Sequence, residues 1–121
     1  YGAIAAVDAW TDAGFERPDP AGDHVYWEAG AVIGTGVGGL DTVGERLVPM
    51  TDAGKVRRLG STIVEQVMGS GVSARVSGLL ALGNQVTSNS SACSTGTEAI
   101  VEGAARIRQG LADRMLCGGD E

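Results

Sequence analysis

The chain has 121 residues, which is the usual size of one domain, and its formal net charge is −6. Glycine occupies 20 positions without a three-residue period, while hydrophobic residues make up 43% and aromatic residues 4% of the chain. The missing period excludes collagen, and the apolar content excludes a disordered chain. The acidic balance argues against nucleic acid as a partner, because nucleic-acid binding needs a cationic surface.

Apolar residues at helical spacing predict a first helix over residues 1–13, ended by a cap at Gly14. A polar, turn-rich stretch separates this helix from the apolar run 29–33, which is typical of a buried strand. The glycine-rich loop 34–39 follows the strand. Between residues 40 and 60 we expect a short helix and a mobile surface loop.

The second half of the chain again alternates helical and strand patterns. Residues 61–82 keep a helical period with a break predicted at 69–71, and residues 84–90 are predicted to form a strand. A helix is predicted over 94–109 and a further strand over 114–117. This alternation predicts an α/β layered fold. The helix carries a stripe of small and apolar residues that favours close packing on both sides: Ala99, Ile100, Gly103, Ala104 and Ile107.

Compartment and metal binding are judged from apolar runs, cysteines and histidines. No apolar run reaches the roughly 18 to 20 residues that cross a bilayer, and no basic-then-apolar leader opens the chain. We therefore predict a soluble, cytoplasmic protein without a membrane partner. Cys93 and Cys117 could form one disulfide, but the ordinary core composition favours two free thiols. His24, the single histidine, is interpreted as a surface residue, and the sequence predicts neither a metal site nor a cofactor.

The most informative segment is 90–96, which places Cys93 between a predicted strand and the N-terminus of a predicted helix. Unpaired N–H groups and the helix dipole stabilise an anion at such a position, so they favour a thiolate. The same amides can hold the oxyanion that forms when a thiol attacks an acyl carbonyl. Cys93 could instead pack as a small apolar residue. The small side chains around it favour a nucleophile, because they leave room for a substrate chain.

Three motifs in the chain resemble those of β-ketoacyl-acyl carrier protein synthases of the elongating type I/II class. They are the loop Gly34–Leu40, the segment Met68–Ala74 and the segment Ala92–Gly96, followed by a strand that closes on Gly118–Glu121. The resemblance covers nearly all of residues 1–121 and implies the N-terminal half of a thiolase-like layered α/β fold. It implies a mixed sheet and a buried helix that bears the nucleophile. It also implies a 3-oxoacyl-acyl carrier protein synthase of fatty acid biosynthesis.

In the resembled family a cysteine accepts an acyl chain, and condensation with malonyl-acyl carrier protein then extends it. By matching positions, Cys93 is the acyl-accepting nucleophile, and its own backbone N–H is one oxyanion donor. Val37 and Met68 match positions that line or gate the acyl pocket, and Ala92 flanks the nucleophile. Ordinary apolar packing is the alternative for these three residues. The resemblance further implies a homodimer that pairs through the strand 84–90.

Lys55, Arg57 and Arg58 form a small basic cluster on an otherwise acidic chain. The carrier protein in this pathway is acidic, so Lys55 and Arg57 are predicted to contribute to carrier docking by complementary charge. A solvated loop is the alternative. The resembled family takes two catalytic histidines and a lysine from its C-terminal half, which would begin after residue 121. The resemblance therefore implies that residues 1–121 alone do not catalyse condensation.

Two other functions remain open at this point. The loop Gly34–Gly39 also matches G-x-G-x-x-G after a strand, which binds a pyrophosphate in dinucleotide-binding folds. The dinucleotide-binding motif also requires an acidic residue at the end of a second strand, about 20 positions after the loop. Asp52 is near that distance but lies in a polar stretch without a predicted strand. A non-catalytic, synthase-like partner subunit is the other alternative, and the presence of Cys93 argues against it.

Overall fold

The computed structural model describes residues 1–120, in which helices alternate with three strands. The N-terminal part contains α1 (Gly2–Asp12), β1 (Ala29–Gly34), α2 (Leu40–Thr42), a π-helical turn (Val43–Leu47), α3 (Val48–Asp52) and a 3-10 turn (Val56–Arg58). The C-terminal part contains α4 (Ser61–Val67), α5 (Gly71–Leu80), β2 (Val86–Thr87), α6 (Thr95–Arg108) and β3 (Arg114–Gly119). No helix among these residues is long and apolar enough to span a membrane.

The strands form one sheet in the order β2-β1-β3, with β1 in the centre. β1 pairs with β3 from Ala29 opposite Arg114 to Gly34 opposite Gly119, and Ala31 of β1 lies opposite Val86 of β2. All six residues of β1 are buried, as expected for an uninterrupted apolar run in a parallel sheet covered on both faces. The prediction of a mixed sheet is wrong for residues 1–120, because both strand pairings there are parallel.

Helices cover the sheet in two layers. α6 packs on β1 and β3, while α5 packs on β1 and is itself covered by α1. Alternate residues of a strand point to the same face, so Ala29, Ala31 and Ile33 all contribute to the core shared with α1 and α5. The buried members of this core are Ala6, Trp10, Ala29, Ala31, Ile33, Val76, Leu80 and Leu82.

Two predicted helix boundaries are confirmed. α1 ends at Asp12, and Gly14 then adopts a φ of +84°, the left-handed conformation that glycine tolerates at a helix C-terminus. The predicted break at 69–71 is found one residue earlier, because Met68 is already extended with φ −70° and ψ 131°. α4 and α5 are therefore two separate helices.

The region between residues 40 and 60, where a short helix and a surface loop are expected, is mostly helical. Helical structure runs without interruption from Leu40 to Asp52 and includes the wider π-helical turn Val43–Leu47. Pro49 has no N–H to donate to the preceding turn, and its ring crowds the carbonyl four residues earlier. A widened turn just before Pro49 relieves this crowding. The helical part of this region is therefore longer than the short helix expected there, and the turns that follow it occupy the place of the expected loop.

The strand predicted over 84–90 is reduced to the two residues of β2. Asn84 and Asn89 use their side chains instead of a strand ladder, with the Asn84 amide donating to the carbonyls of Trp27 (3.1 Å) and Leu111 (3.0 Å). The Asn89 amide donates to the Thr95 carbonyl at 2.9 Å. These bonds hold the segment against the loops that contain Trp27 and Leu111 and against the start of α6.

α6 lies on the sheet with one face only, so the prediction of a buried helix is wrong for the described residues. Ala99 and Gly103 are buried, whereas Ile100 and Val101 are 61% and 65% exposed. A side chain at Gly103 would collide with Cys117 Sγ and lie 3.2 Å from Met115 Cβ. The small residues of the predicted stripe thus face β3, and its larger residues face outward.

Candidate active site

The chain turns sharply between β2 and α6, and the exposed Cys93 lies in this turn, two residues before the helix. Ala92 has a φ of +48°, in the left-handed region. For a residue with a Cβ this conformation costs roughly 1–2 kcal/mol. Such strain persists only where the surroundings impose it, and it is often found at functional sites.

Four hydrogen bonds close this turn around Cys93. The N–H of Ser94 donates to Ser91 O (3.1 Å) and the N–H of Thr95 to Ala92 O (3.0 Å). The Thr95 hydroxyl donates to the same Ala92 carbonyl at 2.7 Å and accepts from the Ser91 N–H at 2.9 Å. Ser91 is also held from outside, because its hydroxyl donates to the Glu98 carboxylate. The turn is thus fixed by its own backbone and by α6.

The backbone N–H of Cys93 donates no hydrogen bond within residues 1–120. It lies beside the N-terminus of α6, where the helix presents partial positive charge. An amide of this kind can donate to an oxygen that gains negative charge next to the thiol. The structure therefore supplies an unpaired donor at the residue that carries the thiol.

The carboxyl ends of β1 and β3 meet at this turn, and glycines make the contact possible. A Cβ at Gly34 would collide with the backbone and side-chain oxygens of Asn89 and lie 2.6 Å from Thr95 Cγ2. A Cβ at Gly119 would lie 3.2 Å from Gly96 N. In open α/β sheets, ligands bind outside the carboxyl ends of the strands. Cys93 occupies that edge.

Val37 and Met68 lie together on the wall of a cavity of about 380 Å³. Cys93 and Ala92 do not line it, so the structure brings only two of the four predicted acyl-site residues together. Thr35 also lines this cavity; it is 6% exposed, and its hydroxyl has no hydrogen-bond partner within the described chain. No role for Thr35 is expected from the sequence pattern.

Met68 lines both this cavity and a larger one of about 770 Å³, whose walls include His24, Glu65 and Arg75. Arg75 and Glu65 form an exposed ion pair at 3.0 Å that lies at the border of both cavities. His24 is exposed, as predicted, and contacts the Tyr26 ring edge-on with 4.5 Å between ring centroids. Cys93 is not part of the larger cavity.

Lys55 and Arg57 are exposed at the 3-10 turn that follows α3. Neither forms an ion pair with the residues that the structure describes, and Arg58 beside them is exposed as well. Val56, between the two predicted docking residues, is 53% exposed. The cluster therefore combines accessible positive charge with a small apolar surface.

Cys117 differs from Cys93 in its surroundings. Both cysteines are free, as predicted, but Cys117 is partly buried against α6 at Gly103. Burial and, to a lesser extent, the charge of Glu102 raise the pKa of the Cys117 thiol, while a hydrogen bond from the Gly103 backbone lowers it. The net rise keeps this thiol protonated. Cys117 is consequently expected to be a poorer nucleophile than the exposed Cys93.

Two residues of the site lie in motifs recognised from the sequence, but no individual role was expected for either of them. Thr95 stands two positions after Cys93 at the start of α6, and a hydroxyl at a helix start is a recognisable signal for a local backbone hydrogen bond. Gly34 gave no such signal, since its contact with Asn89 exists only once β1 and the turn are packed together.

The parallel sheet, the covering helices and the cysteine in the turn before α6 define a thiolase-like α/β unit. The family model described as beta-ketoacyl synthase, N-terminal domain, matches residues 1–121, and the chain belongs to this family. The Staphylococcus aureus (strain N315) protein named 3-oxoacyl-[acyl-carrier-protein] synthase 2 is 31% identical over 121 residues. The alignment covers 100% of this chain and 28% of that protein, so the chain spans less than a third of this relative.

Two solved structures resemble the fold. A beta-ketoacyl synthase from Burkholderia phymatum STM815 superposes with a TM-score of 0.76 at 26% identity, over 93% of this chain and 26% of its own. A ketosynthase in complex with the acyl-carrier protein of a type II polyketide system superposes with a TM-score of 0.79 at 23% identity, over 100% of this chain and 33% of that one. Both likenesses confirm the thiolase-like fold.

Proposed function

We propose that the protein is a 3-oxoacyl-acyl carrier protein synthase of fatty acid biosynthesis, in which Cys93 accepts the acyl group. The observation that carries the proposal is the family match over residues 1–121, together with Cys93 in the turn before α6. The dinucleotide-binding alternative is not favoured, because the loop 34–39 belongs to this family match. The cysteine in the turn argues against a non-catalytic partner subunit.

In the proposed first step the Cys93 thiolate attacks the carbonyl carbon of an acyl thioester on the carrier protein. A carbon–sulfur bond forms to Cys93, and the bond to the carrier sulfur breaks, which releases the carrier thiol after it takes up a proton. The unpaired N–H of Cys93 donates to the oxyanion of the tetrahedral intermediate. Decarboxylation of a malonyl thioester then supplies the carbanion that takes the acyl group from Cys93.

Val37 and Met68 are proposed to bind the acyl chain, with Ala92 flanking the thiol. The support is their shared cavity of about 380 Å³, large enough for a chain of several methylene groups. Because Met68 is unbranched and forms a wall of both cavities, it can change rotamer to admit the chain.

The test is covalent acylation of the protein at its natural length by a hexanoyl carrier protein, followed by peptide mass mapping. Addition of one hexanoyl group at Cys93 is expected, with release of carrier thiol. Cys93→Ala should abolish the transfer, whereas the matched variant Cys117→Ala should retain it. Acylation elsewhere, or none in the unsubstituted protein, would refute the proposed function.

Lys55 and Arg57 are proposed as carrier-docking residues, supported by their exposure and freedom from ion pairs in the described part of the chain. Reversing both charges to Glu should lower the association rate with an acidic carrier by roughly tenfold at low salt, and less at high salt. Arg108→Glu, an exposed charge reversal at the far end of α6, is the control. An equal effect of the control would contradict specific docking. Stopped-flow fluorescence measures the rate.

We also propose a homodimer paired through the segment 84–90 and a cytoplasmic location. β2 pairs with β1 along one edge only, so within residues 1–120 its other edge is free for a second copy. The two free thiols are typical of a reducing compartment. Sedimentation equilibrium of the protein at its natural length should give twice the monomer mass, and a monomer would refute the dimer.

A further inference from the structure

We propose that Thr95 is a positioning residue whose hydroxyl holds the turn that presents the Cys93 thiol. This inference rests on the proposed role of Cys93 as nucleophile, and it adds a residue that touches no substrate. It starts from Ala92, whose φ of +48° is disfavoured by its own Cβ. Neighbouring groups must therefore hold Ala92 in this conformation.

The Thr95 hydroxyl bonds to the backbone on both sides of Ala92. It accepts a hydrogen bond from the Ser91 N–H at 2.9 Å and donates one to the Ala92 carbonyl at 2.7 Å. Thr95 is only 1% exposed, so water has little access to replace either bond. A single side-chain oxygen thus ties together the backbone before and after the strained residue.

The rest of Thr95 is fixed against the sheet. Its carbonyl accepts a hydrogen bond from the Asn89 amide at 2.9 Å, and its methyl group lies 2.6 Å from the position that a Cβ would take at Gly34. The hydroxyl consequently has a defined direction relative to the end of β1. Because Cys93 directly follows Ala92, the backbone of Cys93 is held in place by the same contacts.

The hydroxyl and the methyl group can be removed separately. Thr95→Val keeps the shape of the side chain but leaves the partly buried Ser91 N–H without its acceptor, so the turn should relax and carry the thiol away from the start of α6. Thr95→Ser keeps the hydroxyl and removes only the methyl group. Thr97→Val makes the same change at an exposed position of the same helical turn and serves as the control.

The experiment measures the rate of alkylation by excess iodoacetamide at each cysteine, by peptide mass mapping of the protein at its natural length. Thr95→Val should slow the labelling of Cys93 by roughly tenfold or more, as small misplacements of reacting groups do. Thr95→Ser and Thr97→Val should stay within roughly twofold of the unsubstituted protein. Cys117, which packs against α6, is the internal reference for folding and should keep its rate in all variants.

Unchanged or faster labelling of Cys93 in Thr95→Val would overturn the proposal, and so would equally slow labelling in Thr95→Ser. Faster labelling of Cys117 in Thr95→Val would show general loosening of α6, which also overturns a positioning role. Hexanoyl transfer from the carrier protein is measured on the same samples. If the unsubstituted protein accepts no hexanoyl group, the proposed function fails, while the alkylation rates still decide the role of Thr95.

Discussion

At the scale of single residues, Gly34 supports the turn that contains Cys93. Its missing Cβ leaves the space that the oxygens of Asn89 occupy, and one of these oxygens belongs to the backbone and cannot rotate away. Gly34→Ala is therefore expected to lower the free energy of unfolding by about 1–3 kcal/mol, the usual cost of overpacking. Urea denaturation measures this change.

Gly78 provides the matched comparison, because a Cβ there meets no atom within 4 Å and the residue is exposed in α5. Gly78→Ala should raise the free energy of unfolding by roughly 0.5–1 kcal/mol, since alanine loses less backbone freedom in a helix. Similar destabilisation by the two substitutions would show that the contact with Asn89 is not what makes Gly34 necessary.

Cys117 makes the stability of the fold depend on pH. Its raised pKa means that the folded chain keeps the thiol proton at pH values where the unfolded chain has lost it. The stabilisation from the protonated thiol is thus complete below the ordinary pKa of 9.0 and is lost as the pH rises through the higher folded-state pKa.

Urea denaturation on both sides of pH 9.0 checks this dependence. The free energy of unfolding should fall with rising pH in the unsubstituted chain and fall less in Cys117→Ala, which has no thiol at this position. Identical pH dependence in the two proteins would mean that burial of Cys117 does not contribute.

At the scale of elements, Gly103 allows α6 to lie directly on β3. A Cβ at this position would overlap Cys117 Sγ and approach Met115 Cβ to 3.2 Å. Gly103→Ala should therefore destabilise the chain by about 1–3 kcal/mol, because the helix must move away from the strand. Thermal and urea unfolding both report this loss.

A double-mutant cycle isolates the contact with the sulfur atom. In a Cys117→Ala background the cost of Gly103→Ala should fall, since Sγ is absent, although the close approach to Met115 leaves part of the cost. An equal cost in both backgrounds would place the strain elsewhere in the interface between α6 and β3.

The elements differed in how far the sequence predicted them. β1 and α6 are long, continuous patterns, and both were predicted within one or two residues. The segment 84–90 was not, because side-chain amides of Asn84 and Asn89 take over from the strand ladder. The helix that includes Pro49 is longer than the short helix expected between 40 and 60, because a π-helical turn accommodates a residue that usually ends helices.

In the candidate site, too, features that depend on a local pattern were predictable, and features that depend on contacts between segments were not. Cys93 was predicted because a thiol before a small-residue helix is a local pattern, and its place in the turn before α6 agrees with that pattern. Thr95 and Gly34 act through contacts between the turn and the end of β1, so their roles depend on packing. The acyl-binding role of Val37 and Met68 stays a prediction, although they share a cavity.

At the scale of the whole molecule, α6 carries an uncovered apolar face within residues 1–120. Ile100, Val101 and Ile107 of α6, and Leu111 shortly after it, are between 44% and 65% exposed. Exposed apolar surface promotes association. Residues 1–121 prepared alone should therefore self-associate in a concentration-dependent way, which sedimentation velocity detects.

Ile100→Lys combined with Ile107→Lys should shift this association to higher concentration, because charge is introduced into the apolar face of α6. Ile4→Lys is the control, since Ile4 is equally apolar and 65% exposed but lies on α1. Association unchanged by the α6 variant, or weakened as much by the control, would show that another surface is responsible.

Because β1 lies in the centre of the sheet, hydrogen-exchange rates should differ between its amides and the turn that contains Cys93. Its amides lie between two strands and two helical layers, so they should exchange with deuterium only when the whole chain unfolds. The N–H of Cys93 donates no hydrogen bond within residues 1–120 and belongs to an exposed residue, so it should exchange within the earliest labelling times. Cys93 therefore lies at the border between the slowest and the fastest exchanging parts of the chain, so its own amide can open to solvent while the sheet beneath it stays closed.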